Sequence, residues 1–211
     1  MSSEQGLSDL LKALARVMPA WADRWYLFGA QAVQVWGMPR LTGDVDVTAE
    51  LRDRDHPDFV SAMRKEGFDL RVRDIGAFVK KTRVLPFVHR HSRIPLDVVL
   101  AGPGLEEEFL ERALPVEVGG AIVPVISPED LIVTKLLAGR PKDIEDVRGI
   151  LRERARRLDV KRIRRTLRLL GKAIAQTNLT QIFNSELAAL KPRSSRKTNR
   201  RPAAKRRPTR H

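Results

Sequence analysis

The stretch Phe28-Gly29-Ala30, followed after thirteen intervening residues by Asp44-Val45-Asp46-Val47, constrains this chain more than any other. Side chains alternate along a strand, so Asp44 and Asp46 point to one face while Val45 and Val47 point to the other, toward a core. Residues 25–28 form an apolar run of strand length, and 30–36 read as a helix ended by Gly37 and Pro39. A Gly-small turn between the two leaves backbone N–H groups free to receive phosphate oxygens. Beside such a turn, two carboxylates on one face supply the parts that hold a triphosphate tail with a divalent cation next to it. An Asp-x-Asp pair alone is a weak signal, because most such pairs are turns or solvated strand ends. The weight rests on the combination.

The remaining patterning predicts what surrounds this unit. Leu7, Leu10, Leu11, Leu14 and Val17 recur at helical spacing, with Pro19 closing the helix. A helix is expected at 57–65, strands at 68–72, 87–91 and 94–100, and a short acidic helix at 105–113 after a Gly-Pro-Gly turn. The segment 76–84 is ambiguous. In the strand 94–100, Leu96, Val98 and Leu100 share one face and Asp97 takes the other. Residues 116–118 and 122–126 flank Gly119-Gly120 as a hairpin. Ser127-Pro128-Glu129-Asp130 is a helix start, with a cap, a first-turn proline and acids at the N-terminal end of the dipole. Helix then runs to about 137, breaks at Gly139 and Pro141, and resumes to 154. Amphipathic patterns cover 160–170 and 179–190. The expected fold class is α/β (α+β), a mixed sheet flanked by helices. The expected division is a core at 1–126, a helical region at 127–190 that completes the cleft, and a disordered Arg/Lys-rich tail at 191–211.

Composition narrows the partners. The chain of 211 residues is 42% hydrophobic, enough to fill a core, and contains no cysteine, which excludes disulfides and thiolate metal sites. No apolar run is long enough to span a membrane, and the first residues lack the basic start and apolar run of a signal peptide. A cytoplasmic enzyme with no membrane partner is therefore expected. The formal charge of +14 is uneven: residues 191–211 hold ten Lys/Arg and no acid, whereas 1–190 hold 30 basic against 26 acidic groups. The basic character is read as mostly a tail, which serves either as an RNA-binding arm or as a non-specific anionic-surface arm.

The Gly29 turn with its paired acids resembles the signature of the DNA polymerase β-like nucleotidyltransferase superfamily. The local wording, Gly29-Ala-Gln-Ala-Val33 with Arg40-x-Thr42-x-Asp44-x-Asp46, is similar to bacterial minimal nucleotidyltransferases of the AbiEii type. Residues 127–135 and Arg140-Pro-Lys-Asp143-Ile-Glu-Asp146 also resemble that group's later Lys and Arg-Asp motifs, so the likeness spans roughly 25–150. It implies an NTP-dependent, metal-binding transferase that uses Mg²⁺ or Mn²⁺. In such an enzyme Asp44 and Asp46 bridge the metals and the triphosphate, and Asp97 supplies the third carboxylate and helps deprotonate an acceptor hydroxyl. Gly29 and Ala30 amides, Lys135 and Arg40 are the nucleotide-binding candidates, with Arg40 fitting a carboxylate partner as well as a phosphate. Asp143 and Asp146 fit a helix-dipole role as well as an accessory one. Lys135 fits an exposed helix position as well as a phosphate contact, and Thr42 fits a turn-shaping role.

The resemblance further implies a toxin-like role with a cognate antitoxin, and transfer of a nucleoside monophosphate to RNA or tRNA. A small hydroxylated acceptor, of the aminoglycoside kind, and a non-catalytic nucleotide- or RNA-binding protein are the rival readings. Ala30 departs from the family pattern, where many relatives carry Ser or Gly, so a hydroxyl contact to phosphate is lost while the amide stays. His89 and His91 share a strand face without a third ligand, which speaks against zinc. Trp25 and Trp36 read as core.

Overall fold

The computed structural model describes residues 3–40, 42–51 and 56–190. Among these the chain alternates helices and strands: α1 (Ser3–Trp21), β1 (Ala22–Phe28), α2 (Gly29–Trp36), β2 (Val45–Leu51), α3 (His56–Lys65) and β3 (Phe68–Leu70). It continues through α4 (Ile75–Thr82), β4 (Val84–His89), β5 (Pro95–Leu100), α5 (Leu105–Glu111), β6 (Leu114–Val118) and β7 (Ala121–Val125). Four helices follow: α6 (Pro128–Ala138), α7 (Pro141–Arg154), α8 (Val160–Ala173) and α9 (Leu179–Ala189). The sequence-based tail at 191–211 lies outside the described residues.

The seven described strands make one mixed sheet in the order β3-β4-β5-β2-β1-β7-β6. β2 sits at its centre, antiparallel to β1 and parallel to β5. That neighbourhood decides the site, because parallel register sets Asp46 directly beside Asp97 and antiparallel register sets Phe28 beside Asp46. The alternation along β2 works as the sequence implied: Val45 and Val47 are fully buried, as are Leu96 and Val98 on β5. Each such side chain contributes on the order of 1.5–3 kcal/mol by leaving water.

The ambiguous stretch at 76–84 resolves into α4, whose start is capped by Asp74 accepting from the Ala77 amide at 3.0 Å. The hairpin closes at Gly119-Gly120, pairing Val118 with Ala121. Pro19 does not end the first helix: α1 runs on to Trp21 with the proline in its last turn. The proline has no N–H to give the carbonyl four residues back and crowds it, and the helix ends two residues later. Ser127 caps α6 as its sequence implied, accepting from the Asp130 amide at 3.2 Å, while its hydroxyl donates to the Asp130 carboxylate at 2.7 Å.

Helices α2, α6 and α7 pack on one another, and α2 also packs on β1 and β2. The Trp36 indole, buried at the end of α2, donates to the carbonyl of Ile126 at 2.7 Å and ties that helix to the strand end before α6. His89 is buried, its ring hydrogen-bonded to Ser92 and packed against Phe68, and burial first of all lowers its pKa. This is a core histidine.

Candidate active site

The strand–turn–helix unit leaves β1 at Phe28, which has no side-chain cap to offer, and enters α2 at Gly29 with φ +67°. A β-carbon at Gly29 would lie 2.1 Å from Asp46 Oδ2, so the turn and the carboxylate abut. Only glycine fits both the left-handed backbone and the space. The free N–H groups of the first turn of α2 therefore open beside Asp46.

Both lie in a cavity of about 500 Å³. Its strand side is formed by Phe28, Gly29, Ala30, Asp44 and Asp46, and its helical side by Thr134, Lys135, Arg140, Lys142 and Asp143, with Arg40 and Thr42 from the intervening loop. Asp44 is exposed at the mouth, and Thr42 Oγ1 donates to it at 2.6 Å. Asp46 is half-buried, and its carboxyl is raised to about 6, first by burial and then by the nearby charges of Asp44 and Asp97; Lys135 and Arg140 oppose the shift. Three carboxylates are thus near enough to feel one another. Asp97 does not line the cavity itself: it pairs with Arg71. Among the described residues, no group of three or more His, Asp or Glu side chains is drawn close enough to hold a metal ion.

The helical wall holds a buried charge network. Lys135, 6% exposed, places Nζ 2.7 Å from Asp146 Oδ2 and 3.2 Å from Asp143 Oδ1. Arg40 grips Asp146 through Nε at 2.8 Å and Nη2 at 3.2 Å. Arg140 reaches Asp143 through Nε at 2.5 Å and Nη2 at 3.2 Å. Burial would raise the Asp143 carboxyl, but the hydrogen bonds from Arg140 and Lys135 outweigh it and hold the group below its usual value. The hydrogen bond to Asp146 raises the Arg40 pKa. Two fully or nearly buried carboxylates, 0% and 4% exposed, are thus met by three cations. Such a cluster is expensive to desolvate and is sustained only because every oxygen is partnered. The cations facing the cavity are oriented by these acids.

The structure brings Gly29, Ala30, Arg40, Asp44, Asp46, Lys135 and Asp143 to one cavity, with Asp146 behind the cations and Asp97 on the neighbouring strand. The sequence places Arg140 in the family-like motif without a role of its own, and gives no notice of Arg71. Arg140 stands three residues before Asp143 at the start of α7, a spacing that invites an ion pair. Arg71 carries no local signal. It reaches Asp97 because its amide bonds to Pro86, and Pro86 is the register partner of Asp97 across β4 and β5.

Comparison with known proteins assigns the chain to a family. The profile described as "Nucleotidyl transferase AbiEii toxin, Type IV TA system" matches residues 12–209, well beyond the span of the motif likeness. No curated protein matches the chain. Among solved structures, an antigenic nucleotidyltransferase-like protein from Paracoccidioides brasiliensis is similar at 18% identity, over 84% of this chain and 92% of that one, with a TM-score of 0.49. JHP933 from Helicobacter pylori is similar at 14% identity over 88% and 87%, with a TM-score of 0.43. The antibiotic-resistance factor ANT(2'')-Ia is similar at 17% identity over 86% and 96%, with a TM-score of 0.40. With the family profile spanning nearly the whole chain, the protein belongs to the AbiEii nucleotidyl transferase toxin family and is a nucleotidyltransferase.

Proposed function

We propose that this enzyme moves a nucleoside monophosphate from an NTP to an acceptor hydroxyl on RNA, with a divalent metal held by Asp44, Asp46 and Asp97. The observation that carries the reading is the abutment of the Gly29 turn on Asp46 inside a cavity whose opposite wall is cationic. A triphosphate needs all three: amides for its terminal oxygens, acids for its counter-ion and cations for its remaining charge. Family membership implies the NTP and a cognate antitoxin.

The donor set fits a hard cation. Its oxygens are carboxylates only, and burial followed by their mutual repulsion raises Asp46, a burden that a divalent cation relieves. Asp97 would complete the ligand set by giving up its pairing with Arg71. When bound, Mg²⁺ or Mn²⁺ supplies charge neutralisation at the attacking and departing oxygens. The chain's own groups do the rest. Gly29 and Ala30 amides seat the terminal phosphates, and Lys135, Arg140 and Arg40 face them with positive charge. Asp97 takes the proton from the acceptor hydroxyl as its oxygen bonds to the α-phosphorus. The bond from that phosphorus to the bridging oxygen then breaks, and pyrophosphate leaves. Residues 127–190 act as the unit that completes the cleft, a reading supported by Thr134, Lys135 and Arg140 lining the cavity opposite residues 28–46.

The test is incubation with each labelled NTP, Mg²⁺ and total tRNA, comparing wild type with Asp44→Ala/Asp46→Ala. Label should appear in RNA with the wild type alone. Equal labelling by both proteins removes the catalytic reading, and label in a small hydroxylated acceptor in place of RNA redirects it.

A further inference from the structure

The near-balance of charge in residues 1–190 hides a segregation. Residues 152–172 hold ten Lys/Arg against two acids, while 1–151 hold 20 against 23. The folded body is therefore basic at one place, and that place has a shape. A groove of about 730 Å³ lies where the C-terminal ends of α2 and α7 meet, lined by Val35, Trp36, Gly37, Leu151 and the run 152–157, and by Leu190, the last described residue.

Arg152, Arg156 and Arg157 are exposed there and have no carboxylate partner among the described residues. Arg154 lies over the Trp36 ring at 4.8 Å and donates to the Val35 carbonyl at 3.3 Å, which fixes one guanidinium at the groove wall. The wall is tightly built, since a β-carbon at Gly37 would meet the Ile150 amide nitrogen at 2.9 Å. Cations at a helix C-terminus offset its dipole, but one or two suffice for that, and four arginines in six residues exceed it. Exposed arginines around a groove whose lining holds one acid, Glu153, suit an extended polyanion. In α8, Ile163 and Leu167 are buried at 0% and 1% exposure, while Leu169 and the capping Ile174 stand out at 60% and 50%; two apolar side chains are a small face to seat so basic a surface in a bilayer.

Position adds to charge. α2 and α7 both begin at the catalytic cavity and end at the groove. At 1.5 Å per residue they set the two sites roughly 10–20 Å apart, about three to six nucleotide steps at 3.4 Å per strand. Leu190, where the described residues end, lines the same groove. The geometry points to this groove as the docking site for the phosphate backbone of the polynucleotide acceptor, upstream of the hydroxyl that enters the cavity. This rests on the nucleotidyl-transfer reading for the identity of the bound strand, but not for the binding itself.

The experiment measures binding of a tRNA-sized RNA hairpin with a single-stranded 3′ end, without NTP, across a salt series. The full chain is compared with Arg152→Gln/Arg156→Gln/Arg157→Gln. The expected result is a salt slope shallower by about two to three and an affinity at 50 mM salt lower by roughly 10- to 100-fold. Thermal unfolding and nucleotide binding should be unchanged. A DNA hairpin of the same sequence distinguishes a ribose contact from phosphate binding alone, and either strand held through the groove supports the proposal. Unchanged affinity and slope in the triple variant overturn it, as does capture of anionic vesicles that RNA does not displace. Asp44→Ala/Asp46→Ala protein should bind RNA as well as wild type, so loss of transfer and loss of docking are read separately.

Discussion

Gly29 and Asp46 are in contact across the β1–β2 pair: the carboxylate occupies the space that any side chain at residue 29 would need. The turn and the acid are therefore one device. Moving either displaces the other, and the amides of α2 open toward the same point as Asp46 Oδ2.

Gly29→Ala should consequently damage function more than folding. The variant meets both φ +67° and the 2.1 Å collision with Asp46. The left-handed backbone alone costs about 1–2 kcal/mol, and displacement of Asp46 should lower NMP transfer by roughly 100-fold or more, in keeping with the penalty for misplacing a reacting group by about 1 Å. A β-carbon at Gly43 meets nothing within 4 Å, so Gly43→Ala should leave the unfolding temperature unchanged. Unfolding curves and transfer assays on both variants check this.

The Asp46 carboxyl gives a pH signature. Between its ordinary 3.8 and about 6, the folded protein keeps a proton there that the unfolded chain has released. This group's contribution therefore favours folding at low pH and is lost as pH rises through about 6, amounting to on the order of 2–3 kcal/mol when ionisation is complete. Asp46→Asn removes the burden. In metal-free buffer the variant should match wild type near pH 4 and exceed it in unfolding free energy at pH 8. Parallel stability curves across that range would contradict the assignment.

Asp146 should be a stability residue as well as a scaffold for the cavity. Asp146→Ala leaves Arg40 without its carboxylate and leaves Lys135 with Asp143 alone. Removing one member of a buried, fully partnered cluster costs about 3–5 kcal/mol. Urea unfolding reads the loss, and a change below about 1 kcal/mol would show that the cluster relaxes into water.

Under the proposed metal role of Asp97, its ion pair with Arg71 would compete with a bound cation. Because the pair is about one third exposed on each side, its worth is about 0.2–1 kcal/mol. Arg71→Gln should therefore lower the Mn²⁺ concentration needed by no more than about fivefold, as measured by metal titration of transfer activity or by Mn²⁺ binding. Weaker Mn²⁺ binding in the variant would mean that Arg71 positions Asp97 rather than competes for it.

Local sequence determined the pieces of this protein. Alternation told which faces of 44–47 and 94–100 were core, because period-two burial is written in adjacent residues. Caps and breakers marked α6 and α7, because Ser127, Gly139 and Pro141 act on their immediate neighbours. Gly29, Ala30, Asp44 and Asp46 were legible as a site for the same reason: their spacing is short and their chemistry is local.

Only the tertiary structure decided what those residues meet. Lys135, equally readable as an exposed helix residue, is buried between Asp143 and Asp146 because α6 packs on α7. Asp97 stands beside Asp46 because β5 joins β2 in parallel, and Arg71 reaches it through the register of β3, β4 and β5. The basic groove forms because two helices that start at the cavity end together. Pairings between residues distant in the chain depend on register and packing over the whole sheet, and no window of neighbouring residues contains them.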